Sequence, residues 1–177
     1  MTQDERIKQF DELMGDIVPP EVRASLIDRG FFHAPASTKY HGAYEGGLFD
    51  HSYRVAKFLK SLTRDNELVW QNPRSPLLVG MFHDLCKIDQ YKKKIVEGKI
   101  VYEYNPDTFI KGHGDKSVML LSEYFTLTRE EVLCIRYHMG AFTDKDEWGD
   151  YTRAVHNYSN VLWTHHADML ASHVLGV

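Results

Sequence analysis

The run Leu77–Ile88 (LLVGMFHDLCKI) is apolar on almost every side if wound as a helix. A helix without a polar face has to be central, with the rest of the fold wrapped around it. Yet this run carries an imidazole, a carboxylate and an ammonium, at His83, Asp84 and Lys87. Burying such groups without partners costs several kcal/mol each. The chain must therefore bring compensating groups to this segment, and the other segments should show which.

Around the central run the sequence divides readily. Asp4–Met14 reads as a first helix, stopped at Pro19-Pro20, and Pro20 can open a second helix through Leu26 and Ile27 that Gly30 ends. Residues 31–47, rich in proline, glycine and small polar residues, read as an ordered loop. Leu48–Leu62 is helical, with His51, Val55, Phe58 and Leu62 on one face. After the central run the period changes: Tyr91–Tyr104 is β-rich with Glu97-Gly98 at its middle, a hairpin pattern. Asp115 is placed to cap a helix running to about Phe125, and Thr128 to Glu131 form a capping box for a helix stopping near Gly140. Trp148–Asp150 reads as loop and His156–Leu175 as the last long helix. The fold class expected is all-α, a helical bundle with a small β-hairpin insertion at about residues 91–104.

Bulk properties exclude several classes of function. A chain of 177 residues with 43% apolar and 26% charged residues suits one globular domain. A net charge of -4 gives no sign of a nucleic-acid or membrane surface. The longest apolar stretch, Leu77–Phe82, is too short to cross a bilayer, and the opening MTQDERIKQF is too polar for a secretory signal. Cys86 and Cys134 form no Cys-x-x-Cys pair, which speaks against a disulfide framework or a thiolate zinc site and fits a reducing cytoplasm. Histidine is the outlier, with ten residues.

Six of the polar residues fall where burial is expected. His51 lies on an apolar face, His83 and Asp84 in the central run, His113 in GHG before a helix start, His138 in HMG at a helix end, and Asp168 in the final helix. Imidazole and carboxylate together suit iron, manganese, nickel, cobalt or zinc. Asp84 has two oxygens and can bridge two ions, while Gly80 one turn earlier leaves room beside the helix. Lys87 shares the face of His83 and Asp84, and a lysine beside metals suggests an anionic substrate such as a phosphate. His33, His156 and His173 read as ordinary helical or surface histidines; His165 and His166 lie within a turn of Asp168. Lys92, Lys93, Lys94 and Lys99 read first as a solvated hairpin tip, and second as a guide for an anion.

The order His51, His83-Asp84, His113, His138, Asp168 resembles the HD-domain superfamily of metal-dependent phosphohydrolases. HDLCK is similar to the family's His-Asp-x-Gly-Lys, with Cys86 where glycine is usual, and YEGGLFDHSYRVA resembles the start of its first metal helix. The resemblance implies an HD-domain bundle forming a single domain over 1–177, with N-terminal helices and loop at 1–45 and a metal-binding core at 46–175. It also implies a first ion on His51, His83, Asp84 and Asp168, and a second on Asp84, His113 and His138. Met139 replaces the second histidine of a His-His pair found in many relatives, and the Gly-Tyr-Pro signature of the cyclic-di-GMP enzymes is missing. The function implied is cleavage of a phosphate ester in a phosphorylated small molecule, nucleotide, cyclic nucleotide or nucleic-acid end. In it Asp84 and Lys87 are catalytic, Lys87 and His41 contact substrate, and the location is cytoplasmic. The alternatives are a mixed-valent diiron oxygenase on the same ligands and a non-catalytic nucleotide-binding module.

Overall fold

The computed structural model describes residues 1–108 and 110–176; Phe109 and Val177, the last residue of the expected domain, lie outside them. Helices α1 (Gln3–Met14), α2 (Pro20–Asp28), α3 (Gly47–Asp65) and α4 (Ser75–Phe82) come first. A hairpin of β1 (Tyr91–Val96) and β2 (Lys99–Tyr104) follows. Helices α5 (Gly114–Ser122), α6 (Arg129–Arg136), α7 (Trp148–Asn157) and α8 (Asn160–Met169) complete the chain. The fold is thus mostly helical with one two-stranded antiparallel sheet, as expected.

Local chemistry explains most helix starts. Thr2 and Thr128 each form a capping box, with Glu5 and Glu131 reaching back to the cap backbone, and Pro20 stands at the first turn of α2. The hairpin turns at Glu97 and Gly98, both with positive φ, which keeps Tyr91 opposite Tyr104 and Ile95 opposite Ile100. Glu103 pairs with Lys92 and Lys94, and Glu45 with Lys93, so three of the hairpin lysines face glutamates.

Helix α4 is the centre: every residue of it except Leu77 is buried. It packs on α3 through Gly80, where an added Cβ would stand 2.5 Å from Ala56 Cα. Gly80 therefore serves close helix contact, rather than opening room for an ion as its position suggested. Phe10, Phe31, Phe32, Phe49 and Phe82 pack edge-on or tilted, joining α1 and the loop after α2 to this pair. On the other side, buried Glu130 accepts from Gln71 N and Asn160 Nδ2, and buried Glu131 from Ser75 Oγ. These bonds fix the starts of α4 and α8 against α6.

Five boundaries differ from expectation. Leu77–Ile88 is not one helix: α4 stops at Phe82, and a 3-10 turn covers Leu85–Ile88. The His83 ring takes the Gly80 carbonyl at 2.9 Å, the acceptor that the next helical N–H would have used. Helix α6 ends at Arg136, leaving His138 just beyond it, and there the ring takes the Ile135 carbonyl. Asp115 does not cap α5; it lies inside the first turn and pairs with Arg136 of α6, while His113 holds the cap position. Trp148–Asp150 is the start of α7 rather than loop, and the expected long helix from His156 is broken between Asn157 and Asn160.

Gly80→Ala should lower stability by roughly 1–3 kcal/mol, the usual cost of overpacking, because its Cβ meets backbone. Gly149→Ala has open space at its Cβ and should be neutral or slightly stabilising. Urea unfolding of the two variants checks the contrast; equal midpoints would contradict the tight α3–α4 contact.

Candidate metal centre

Helix ends deliver most of the polar cluster. His51 projects from the buried face of α3, His83 and Asp84 follow the last residue of α4, and His113 precedes α5. His138 follows α6, and Asp168 stands in the last turn of α8. Gly114 lets His113 reach the cluster, since a Cβ there would collide with the Arg136 carbonyl at the end of α6.

All six expected residues converge, in two groups that share Asp84. Its Oδ2 lies 3.6 Å from Nε2 of both His51 and His83. His51 Nε2 is also 3.2 Å from Asp168 Oδ1 and 3.2 Å from His83 Nε2. Asp84 Oδ1 lies 3.0 Å from His113 Nε2 and 3.5 Å from His138 Nε2, and those two nitrogens are 3.1 Å apart. Three overlapping triads, His51–His83–Asp84, His83–His138–Asp168 and Asp84–His113–His138, have ligand atoms within 4.8 Å of one another.

The hydrogen-bond pattern fits a cation. The Gly80 carbonyl can only accept, so His83 carries its ring proton on Nδ1 and aims a lone pair from Nε2 at Asp84. Burial pushes the His83 imidazole down to about 3, which keeps it neutral. Asp84 Oδ1 is buried and accepts no hydrogen bond in proper geometry among the described residues. Acceptors facing acceptors in a dry site repel unless positive charge lies among them.

Without an ion, side chains supply part of that charge. Lys87 Nζ sits 2.6 Å from Asp84 Oδ2 and is almost wholly buried. Burial raises the Asp84 carboxyl, but Lys87, His83 and His113 more than reverse this and hold it well below the carboxylate range. Asp168 is held down likewise: burial opposes ionisation, and His51 and His83 outweigh it. Burial lowers His113. In His138 the interaction with Asp84 overcomes burial and shifts the ring upward.

A cavity of about 530 Å³ opens over the cluster, with Lys87, His41, Ser37, Tyr91, Tyr104 and His165 on its walls. His41 stacks near His51, ring centroids 4.9 Å apart, and burial with the neighbouring His51 pushes it down to about 4. His33 pairs with Glu45 away from the cluster. Two contacts were not foreseen. His165 Nδ1 lies 2.9 Å from the His138 carbonyl, fixing the turn that carries His138; its spacing of three from Asp168 was the available signal. Cys86 Sγ lies 3.2 Å from His113 Nδ1; its departure from the usual glycine was the signal there.

A family model described as HD domain matches residues 48–168. No curated protein and no solved structure matches the chain. Among the described residues no helix is long and apolar enough to cross a membrane.

The shifted imidazoles give the metal-free protein a definite pH dependence. His83 and His41 take up protons only near pH 3 and 4, against 6.5 in the unfolded chain. His113 acts in the same sense and His138 in the opposite one. The unfolded state therefore binds more protons below pH 6.5, and stability rises with pH. The Tm of chelator-treated protein should fall as pH is lowered from about 7 to 5; a flat or rising Tm would contradict the neutral, buried His83.

Proposed function

The chain belongs to the HD domain family, and on that premise we propose that it is a metal-dependent phosphohydrolase cleaving a phosphate ester. HD domains bind divalent metals, and the family consists largely of metal-dependent phosphohydrolases. The observation that carries the reading is Asp84, whose two buried oxygens each face a separate pair of imidazoles. Such a carboxylate is suited to bridge two ions. The first would be held by His51, His83, Asp84 and Asp168, the second by Asp84, His113 and His138. Their imidazole and carboxylate donors fit iron, manganese, nickel, cobalt or zinc.

Ions held there would supply Lewis acidity toward a phosphoryl group and would bring the pKa of a bound water toward neutrality. The remaining roles fall to side chains. Lys87 stays charged because its attraction to Asp84 outweighs burial, and from the cavity wall it offsets charge building on the phosphoryl group. His41, neutral above about pH 4, offers the substrate a hydrogen bond. Gly80 and Ile135 hold His83 and His138 in one orientation, so these rings need no rearrangement during turnover. The cavity has the volume usual for a small-molecule pocket, which favours a phosphorylated small molecule or nucleotide.

The test is metal analysis followed by assays of phosphomonoesters, phosphodiesters and nucleotides with and without oxygen. Hydrolysis by a manganese- or nickel-loaded protein without oxygen is expected. Turnover that requires oxygen and an iron pair would instead assign the mixed-valent oxygenase.

Asp84→Ala should abolish activity and remove both ions; retention of either ion would refute the bridging role. Lys87→Ala should keep both ions while kcat falls roughly 10²-fold or more, the scale of losing one preorganised charge-stabilising group. Its metal-free form should lose roughly 3–5 kcal/mol, because Asp84 is left as a buried unpaired charge, and adding metal should restore most of that. Calorimetry with and without chelator measures both effects.

A further inference from the structure

Cys86 is fully buried beside Lys87, and no step proposed above uses it. Its sulfur lies 3.2 Å from His113 Nδ1. Its backbone N–H donates to Ser117 Oγ at 3.0 Å, one turn into the helix that His113 precedes. The thiol is thus tied to the same helix as the ring it touches. His83 and His138 rest their Nδ1 atoms on the Gly80 and Ile135 carbonyls. A carbonyl only accepts, so it permits one tautomer; a thiol is both a weak donor and a weak acceptor, and permits two. His113 is also the most open of these rings, its side chain 29% exposed against 0% for His83 and 1% for His138.

We propose that Cys86 is the positioning residue for His113, and that it makes the Asp84–His113–His138 position the weaker and more readily exchanged of the two ion positions. This rests on the two-ion reading above. With an ion on Nε2, the ring proton of His113 sits on Nδ1 and Cys86 Sγ accepts it. Sulfur accepts weakly, so it raises the basicity of Nε2 less than a carbonyl would. Without the ion, the thiol S–H donates to Nδ1 and the ring proton sits on Nε2, 3.0 Å from Asp84 Oδ1 but out of line for a hydrogen bond to it. The ring keeps its place in both tautomers, and an ion arriving at Nε2 requires the ring proton to move to Nδ1 first.

The experiment titrates chelator-treated wild-type, Cys86→Ser and Cys86→Ala proteins with Mn(II) alone, and with Co(II), whose visible absorption reports coordination at each position. Thermal melts establish that the variants are folded. Wild type should bind two ions of unequal affinity. Cys86→Ala should weaken the weaker ion about 10- to 100-fold, the range for removing a group that orients a metal-ligating histidine, and leave the tighter ion unchanged. Cys86→Ser, which keeps a polar atom against Nδ1, should restore the weaker ion to at least wild-type affinity. Unchanged binding of both ions in Cys86→Ala overturns the proposal. So does an equal loss of both ions that Cys86→Ser fails to rescue, since that marks a packing role. A wild-type protein that binds one ion or none defeats the two-ion reading itself, before any variant is compared.

Discussion

A carboxylate with almost no contact with water, ringed by imidazole nitrogens, is stable only where positive charge reaches it. Asp84 is such a group, at 2% exposure, and much of the architecture answers to it. Lys87 is drawn inward to 2.6 Å instead of snorkelling to solvent. Helix α4 stops where it does because the His83 ring takes the carbonyl that would have continued the ladder, and the His138 ring holds the Ile135 carbonyl in the last turn of α6. Glycines stand where helices have to touch backbone to backbone so that the rings can meet. The energetic cost at the cluster is offset by the dry aromatic packing of Phe10, Phe31, Phe32, Phe49 and Phe82 beside it.

Support also comes from outside the region matched by the family. Arg6 of α1 is buried and grips Asp50 at 2.9 Å, with a second bond to the Glu45 carbonyl at 3.0 Å. Asp50 immediately precedes His51. The N-terminal helix therefore braces the first turn of α3, from which that imidazole projects. Removing one partner of a buried pair of this kind leaves an uncompensated charge, so the brace and the cluster share their fate.

Local rules made a good part of this legible in the sequence. The Thr128 capping box, the Pro20 start and the Glu97-Gly98 turn each depend on residues a few positions apart, and each stands in the structure. The face shared by His51, Val55 and the buried side of α3 follows from the helical period. What escaped reading depends on contacts far apart in the chain. The break after Phe82 comes from a ring folding back on its own carbonyl, where hydrophobic pattern alone promised an unbroken helix. Asp115 looked like a cap because its partner, Arg136, could not be seen from its neighbours. Cys86 had no role in the sequence because His113 is distant along the chain and adjacent in space.

The contact between His51 and Asp168, 3.2 Å across, joins α3 to α8 and so closes a loop containing most of the chain. An ion gripping both residues would make that closure a chemical clasp. Any opening that parts α3 from α8 would then have to release the ion first, coupling unfolding to metal loss. The lifetime of the folded chain against proteases would follow the supply of metal as closely as the quality of its core. In that sense a metal-loaded centre would be a latch on the whole molecule.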